Sequence, residues 1–215
     1  MKCKYIPVYF LLVIVAACST KKENKYFSGT IEYAYSYNSD SLNTDSLIKA
    51  RPSKGFFRYD ENDYQSRFTG ADTNTYYYSG KLNKAVAEYS LQKELVCEDY
   101  GTATDSIISY KLYDTDEKIL GYSCRVIELQ KSRSWVKYYF SGEHTMSSVT
   151  YQNHKAYNWD FYGEKAEGGL VLKVEHRFKL FTMSGIATNL KEYNKGFKAL
   201  EIDKILMDSL CTVNN

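Results

Sequence analysis

The chain has 215 residues and carries 28 basic and 26 acidic side chains, which leaves a formal net charge of +2 at neutral pH. This near-balance, without runs of one sign, provides no basic surface to attract nucleic acid, so we exclude nucleic acid as a partner. The length suits one domain with a sizeable core. The 22 tyrosines and 10 phenylalanines favour strands, because aromatic side chains pack well on a half-buried pleated surface.

The first segment of the chain has the form of a lipoprotein signal peptide. Two lysines precede an apolar run, Ile6–Ala17, which is shorter than the ~20 residues that a membrane-spanning helix needs. The run ends in Val15-Ala16-Ala17-Cys18, which resembles a lipobox. We therefore expect residues 1–17 to be removed, and Cys18 to carry the acyl chains that anchor the protein in a membrane.

A polar segment follows the acylated cysteine. We expect residues 18–25 to form a short tether and residues 26–215 to form a single domain. Lys21-Lys22-Glu23 is weakly similar to the signal that surface-exposed lipoproteins of Bacteroidota carry after the cysteine, with one acidic residue. We therefore expect an outer-membrane lipoprotein that faces the periplasm, and the cell surface is the alternative location.

Alternation of apolar and polar residues then predicts about ten antiparallel strands at short spacing. Residues 27–37 are the clearest case and are followed by a short helix at 45–49. Further strands are predicted at 56–59, 64–68, 76–78, 84–91, 107–113, 124–130, 135–141, 170–180, 183–193 and 196–202, and a short helix at 203–210. An antiparallel sheet with one apolar face must be closed, stacked or covered. The predicted fold is mainly β (α+β), a strongly curved antiparallel sheet that forms an incomplete barrel with one or two short covering helices.

Three cysteines other than Cys18 remain after maturation, in a compartment that favours disulfides. They allow one bridge and one unpaired thiol. Cys97 and Cys124 are the favoured pair, because both lie in the part of the chain where the strands are predicted and Cys211 lies in the tail. Cys124–Cys211 is the competing pair, and three reduced thiols are a further alternative.

No motif for catalysis, metal binding or cofactor binding is found in the sequence. His144 and His154 lack the further ligands of a metal site. His176 shares a predicted strand face with Val174 and Phe178, which favours a core or cavity-lining position. Nucleophile elbows, phosphate-binding loops and dinucleotide fingerprints are missing. We therefore expect a protein that is not an enzyme and uses no cofactor or metal.

Short segments spread over most of the mature chain resemble, in order, the GLPGLI-type and related lipoproteins of Bacteroidota. The matching segments are Phe27–Tyr33 (family pattern GxIxY), Lys118–Cys124 (KILGYxC), Trp135–Tyr139 (WYT), Gly169–Lys173 (Gly-Leu-Pro-Leu) and Gly196–Leu200 (F-x-x-P). The chain departs from the family in having Val171 where a proline is typical, in lacking a proline after Leu200, and in a wider insertion between Tyr139 and Gly168.

The resemblance implies a fold similar to that of the LolA/LolB-like lipoprotein carriers, an incomplete barrel whose hollow holds acyl chains. The residues that would then line this hollow come from the first strand and from the long strand near residue 170. They are Ile31, Tyr33, Tyr35, Leu172, Val174, His176 and Phe178.

The leading functional hypothesis is therefore an outer-membrane lipoprotein that binds a lipid or a lipoprotein in this hollow without catalysis. The first alternative is a structural or interaction subunit of an envelope complex, with a protein partner and a barrel filled by its own tyrosines. The second is a surface lipoprotein that binds glycans through exposed tyrosine and tryptophan side chains. The volume of the hollow separates the leading hypothesis from the first alternative.

Overall fold

The computed structural model describes residues 26–60, 62–193 and 204–211. The signal peptide, Cys18, the tether and the strand expected at 196–202 lie outside these residues and stay predictions. The described part contains strands β1–β11 and helices α1–α3. Their bounds are β1 Gly29–Asn38, α1 Thr44–Lys49, β2 Lys54–Tyr59, β3 Asp63–Thr69, β4 Thr73–Ser79, β5 Lys84–Tyr89, β6 Glu94–Asp99, β7 Ile107–Ile119, β8 Tyr122–Lys131, β9 Trp135–Thr145, α2 Trp159–Lys165, β10 Gly169–Arg177, β11 Thr182–Glu192 and α3 Lys204–Cys211.

All the strands belong to one antiparallel sheet that is strongly curved and not closed. The 11-stranded sheet has the order β6-β5-β4-β3-β2-β1-β11-β10-β9-β8-β7. The first strand, β1, lies in its middle, between β2 and β11. The edges are β6 and β7, which are consecutive in sequence but lie at opposite sides of the sheet. The predicted fold class is confirmed: the protein is mainly β, with a few short helices.

Tight turns fix the pairing of neighbouring strands. In the hairpin between β7 and β8, Ile119 pairs with Tyr122, and the two residues between them, Leu120 and Gly121, have φ angles of 53° and 88°. Two successive positive φ angles are typical of the two-residue turn whose twist matches that of the strands it joins. The KILGYxC segment of the sequence therefore forms a sharp hairpin.

One end of the curved sheet is covered by the segment 146–168, which connects β9 to β10. The segment contains a 3₁₀ turn, Ala156–Asn158, followed by α2. It is attached to the rest of the chain by the carbonyl of Tyr100, which accepts hydrogen bonds from the backbone N–H groups of Lys155 (2.7 Å) and Ala156 (3.2 Å). We call the end of the sheet beneath this segment the covered end. The other end, where β1, β8 and β10 finish, is the Lys131 end.

The disulfide joins Cys97 to Cys211, with a Cα–Cα distance of 5.5 Å, and Cys124 is a buried free thiol. The expected Cys97–Cys124 pair is therefore wrong. The reason is topological: Cys97 lies on the edge strand β6, and Cys124 lies on β8, next to the opposite edge. The bridge instead ties α3 to the β6 edge. There Met207 and Leu210 pack with Val86 of β5, and Lys84 Nζ donates to the carbonyl of Cys211 (2.7 Å).

No helix among residues 26–60, 62–193 and 204–211 is long and apolar enough to cross a membrane.

Removing the bridge should destabilise the protein through the denatured state. The two cysteines are 114 residues apart, and releasing a loop of that order costs about 2–5 kcal/mol. We expect Cys211→Ser to lower the free energy of unfolding by this amount in urea titrations. With a reductant present, the wild type and the variant should unfold at nearly the same urea concentration. A non-reducing peptide map that links Cys124 to either partner would contradict the assignment.

Candidate functional site

The concave face of the sheet encloses a cavity of about 400 Å³. Volumes of this order are typical of sites that bind small molecules. Its wall is mainly aromatic, and it includes tyrosines from β1, β2, β3 and β9. The aromatic side chains that line it are Tyr33, Tyr35, Tyr37, Phe57, Tyr59, Tyr64, Phe68, Tyr76, Tyr100, Tyr138, Tyr151, Tyr157, Trp159, Phe178 and Phe181. The curved sheet therefore surrounds an apolar hollow that its side chains do not fill.

Five of the seven side chains expected in the hollow lie in its wall. They are Tyr33, Tyr35, Val174, His176 and Phe178. Burial raises the pKa of both tyrosines, so their phenol groups stay neutral.

The other two expected residues, Ile31 and Leu172, are fully buried in the core and are not in the cavity wall. Leu172 differs because β10 shifts register against β9 between Val171 and Lys173. A bulge inserts one residue and so exchanges the faces on its two sides; Val171 lines the cavity instead. Ile31 lies on the same face as Tyr33 but nearer the covered end, where the core closes around it.

Two glycines hold the ring of Tyr35 flat against the sheet. Tyr35 is opposite Gly185 of β11 in the register, and Gly55 of β2, which is opposite Tyr33, is its diagonal neighbour on the other side. A Cβ added at Gly55 would meet the Tyr35 ring at 2.7 Å, and one added at Gly185 would meet both that ring and Val174. Because the ring occupies the space of two missing side chains, it does not project into the hollow.

The covered end of the cavity contains a neutral cluster of rings around His154. His154 is fully buried; its Nε2 shares a hydrogen bond of 2.8 Å with the hydroxyl of Tyr64, and its ring lies 4.6 Å from that of Tyr78 and 4.7 Å from that of Tyr100. Burial lowers the pKa of His154 to about 4. At this end of the cavity, the hydrogen bond therefore fixes the rings of Tyr64 and His154, and the His154 ring is uncharged near neutral pH.

The Lys131 end carries the basic groups of the wall. Lys131 and His176 line it from β8 and β10, and Arg51 lines it from the loop before β2. His176 stacks on Phe178 with ring centroids 3.9 Å apart, Phe178 stacks on Phe181 at 4.7 Å, and the Arg51 guanidinium lies 4.8 Å from the Phe181 ring. Burial, and then the charge of Lys131, lower the pKa of His176 to about 4.

Two parts of the site were missed by the reasoning from sequence. The segment 146–168, noted in the sequence only as part of a wider insertion between Tyr139 and Gly168, contributes Met146, Tyr151 and His154 to the wall. Lys131 lies just beyond the strand expected at 124–130 and was not expected in the wall. The signal in the sequence is that Lys131 continues the period-two register of Ile127 and Leu129, which are fully buried and share a strand face with it.

In the part of the chain that the structure describes, no three His, Cys, Asp or Glu side chains are grouped closely enough to hold a metal ion. No protein-family model matches the chain. No curated protein sequence matches it.

Among solved structures, two crystal structures of PNGF-II are similar to 88% and 87% of this chain, each at 15% identity and a TM-score of 0.44. This chain spans 30% of the length of PNGF-II. A domain from Vibrio parahaemolyticus named as an outer membrane lipoprotein-sorting protein is similar over 85% of this chain and 91% of its own length, at 7% identity and a TM-score of 0.32. At these values the likenesses carry no functional argument.

Filling the space beneath Tyr35 should tilt its ring into the hollow. We expect Gly185→Ala to lower the free energy of unfolding by about 1–3 kcal/mol, as overpacking does, and to narrow the cavity. Gly142 of β9 is the matched control, since a Cβ there would meet nothing within 4 Å. In urea titrations Gly142→Ala should be close to neutral. Equal effects of the two substitutions would show that Tyr35 is not held by close contact.

Acid should destabilise the fold through His154. With a folded-state pKa of about 4 and an unfolded value of about 6.5, only the unfolded state binds a proton between these pH values. Stability is therefore retained above pH ~6.5 and falls towards pH ~4, by about 3 kcal/mol for this group. Wild type should lose more unfolding free energy than His154→Asn between pH 7 and 4.5. If the unfolding free energies of the two proteins fell in parallel as the pH is lowered, the assignment of the acid effect to His154 would be refuted, since the other titrating groups are common to both proteins.

Proposed function

We propose that this protein is a lipid-anchored envelope lipoprotein that binds an acyl chain of a lipid or a lipoprotein in its cavity, without catalysis. The observation that carries the proposal is the aromatic-walled hollow of about 400 Å³ on the concave face of the sheet. Transfer of an acyl chain from water into such a hollow is favourable by about 0.8 kcal/mol for each buried CH₂ group. The hollow is therefore suited to a ligand whose main feature is apolar surface.

The wall supports this proposal because its side chains are held in place by contacts within the protein. Tyr35 is held by two glycines, Tyr33 donates a hydrogen bond of 2.6 Å to the carbonyl of Val171, and Tyr64 is paired with His154. Anchored rings cannot collapse into the space without losing these contacts. A preformed site spares the ligand the cost of ordering the wall.

The same hollow argues against the alternative of a barrel filled by its own tyrosines. For the glycan-binding alternative, a row of exposed aromatic side chains on one face would be needed. Among the described residues, the exposed tyrosines are Tyr110, Tyr113 and Tyr157. Tyr110 and Tyr113 are three residues apart on β7 and so project from opposite faces, and Tyr157 lies in the 3₁₀ turn of the segment 146–168. The lipid-binding proposal is therefore the one that the described geometry favours.

Location and anchoring are part of the same proposal. The lipobox-like sequence that ends in Cys18 supports anchoring through acyl chains, and we place this anchor in the outer membrane with the domain facing the periplasm. Resemblance to GLPGLI-type lipoproteins of Bacteroidota is in keeping with this location. An anchored domain would receive or hold its ligand at one membrane rather than carry it between two.

Native mass spectrometry of the mature chain from residue 19 onward, produced in a bacterial periplasm, tests the proposal. We expect an adduct with the mass of a phospholipid or a fatty acid. Val174→Asp, which puts a charge in the cavity wall, should abolish the adduct. Ile186→Asp is the matched control, since Ile186 lies on the neighbouring strand β11 and is 42% exposed; it should keep the adduct.

Failure to find an adduct, together with failure of added phospholipids and fatty acids to bind, would overturn the proposal. The interaction-subunit alternative would then be the one to pursue. An adduct that survives Val174→Asp would place the lipid outside the cavity and would also contradict the proposal.

A further inference from the structure

Lys131 is unusual because its charged side chain is buried in the wall of an apolar cavity. The residue is 5% exposed and is the last residue of β8. It lies two residues after Leu129, which is opposite Val136 of β9, and Val136 is in turn opposite His176 of β10. Side chains two apart on a strand share a face, so Lys131 and His176 belong to the same inner surface.

The charge of Lys131 is only partly balanced. Its Nζ lies 4.0 Å from Asp105 Oδ2, which is beyond hydrogen-bonding distance. The Asp105 carboxylate already accepts from the hydroxyls of Ser132 (2.7 Å) and Ser134 (2.6 Å) and from the backbone N–H of Arg133 (2.8 Å). Within the described residues, no other carboxylate forms an ion pair with Lys131.

A buried ammonium without a hydrogen-bond acceptor is costly. Burial lowers the pKa of Lys131, and the charge of Asp105 opposes this effect. An oxyanion in the cavity would relieve the cost of burying Lys131, because it would accept hydrogen bonds from the N–H groups of the ammonium. The strength of such a contact would be increased by the low polarity of its surroundings.

A second nitrogen at the same end is also without a partner. His176 Nε2 is buried and has no hydrogen-bond partner among the described residues. Because the lowered pKa keeps this ring neutral near neutral pH, His176 can donate one hydrogen bond without adding a charge. Arg51 provides an exposed guanidinium further along the same rim.

The charge distribution along the cavity is therefore one-sided. Lysine, arginine and histidine contribute to the wall, whereas the described lining residues include no aspartate or glutamate. The basic groups lie at the Lys131 end, and the covered end has the neutral rings around His154. A ligand with an anionic head and an apolar tail would match this distribution in one orientation.

We propose that the cavity selects acyl ligands with an anionic oxyacid head, a carboxylate or a phosphate, and that Lys131 binds this head while the tail extends towards His154. The inference rests on the proposed function, since it names the class of ligand for the same cavity. Lys131 is the residue that determines specificity, and His176 donates a second hydrogen bond to the head.

Isothermal titration calorimetry of the mature chain with three ligands that share one tail tests this inference. Dodecanoate and dodecyl phosphate carry the two anionic heads, and dodecanol carries a neutral one. We expect the better of the two anions to bind at least about tenfold more tightly than dodecanol, as expected for a hydrogen bond to a charged group. Which anion binds better distinguishes a fatty-acid head from a phosphate head.

Variants assign the effect to Lys131. Lys131→Met should reduce the affinity for the anions to that for dodecanol and leave dodecanol binding within about threefold, whereas Lys131→Arg should keep the preference. Lys111→Met, at an exposed position of β7, is the matched control. It should change neither the affinity for the anions nor the affinity for dodecanol. Should Lys131→Met fail to fold, Asp105→Asn provides the opposite test: removal of the competing carboxylate should tighten the binding of the anions and not that of dodecanol.

Two failures can be told apart. If dodecanol binds as tightly as both anions, or if the preference for anions survives Lys131→Met, the assignment to Lys131 is overturned while acyl binding stands. If none of the three ligands binds, the proposed function itself fails, and this inference fails with it.

Discussion

The structure depends on how a single curved sheet keeps its concave aromatic face from collapsing. Eleven strands in one open sheet bring many large rings to the same inner surface, and rings that point straight inward would fill it. Tyr35 instead lies flat over Gly55 and Gly185, and Tyr64 is stacked on Tyr78 with centroids 4.9 Å apart. Each ring buries its apolar area against the sheet or another ring, so the hollow is kept by contacts that do not need a ligand.

An open sheet also needs protected edges, since unpaired strand edges can pair with another chain. The β6 edge is held by α3 through the Cys97–Cys211 bridge and the contacts around Val86. From this edge the chain crosses to β7 along residues 100–106, where Tyr100 holds segment 146–168 and Asp105 holds the turn between β8 and β9. The connection between the two edges therefore also fastens both ends of the cavity.

Sequence reasoning succeeded where the pattern is local. Period-two alternation located β1 and most later strands to within a few residues. The short helix expected at 45–49 is α1, although its cap is Asn43, whose side chain accepts from the backbone N–H of Ser46. The reasoning failed where a non-local contact decides the outcome. The bulge in β10 moves Val171, not Leu172, into the wall. The cysteine pairing depends on which strands form the edges, and strand order is not contained in the spacing of the cysteines.

The site itself was predictable in its apolar part and not in its polar part. Alternation places Tyr33, Tyr35 and Val174 on the apolar face of their strands, which has to point inward, and the resemblance to LolA/LolB-like carriers implies the hollow that this face surrounds. Alternation does not place Lys131 there, because it treats a lysine at a strand end as a solvated residue. Its burial requires a counter-charge, and Asp105 reaches it only through the crossing between β6 and β7. Asp105 at 4.0 Å offsets part of the cost of burying the ammonium and leaves its hydrogen bonds unmade, so the fold tolerates the charge and still leaves an attraction for an anion in the cavity.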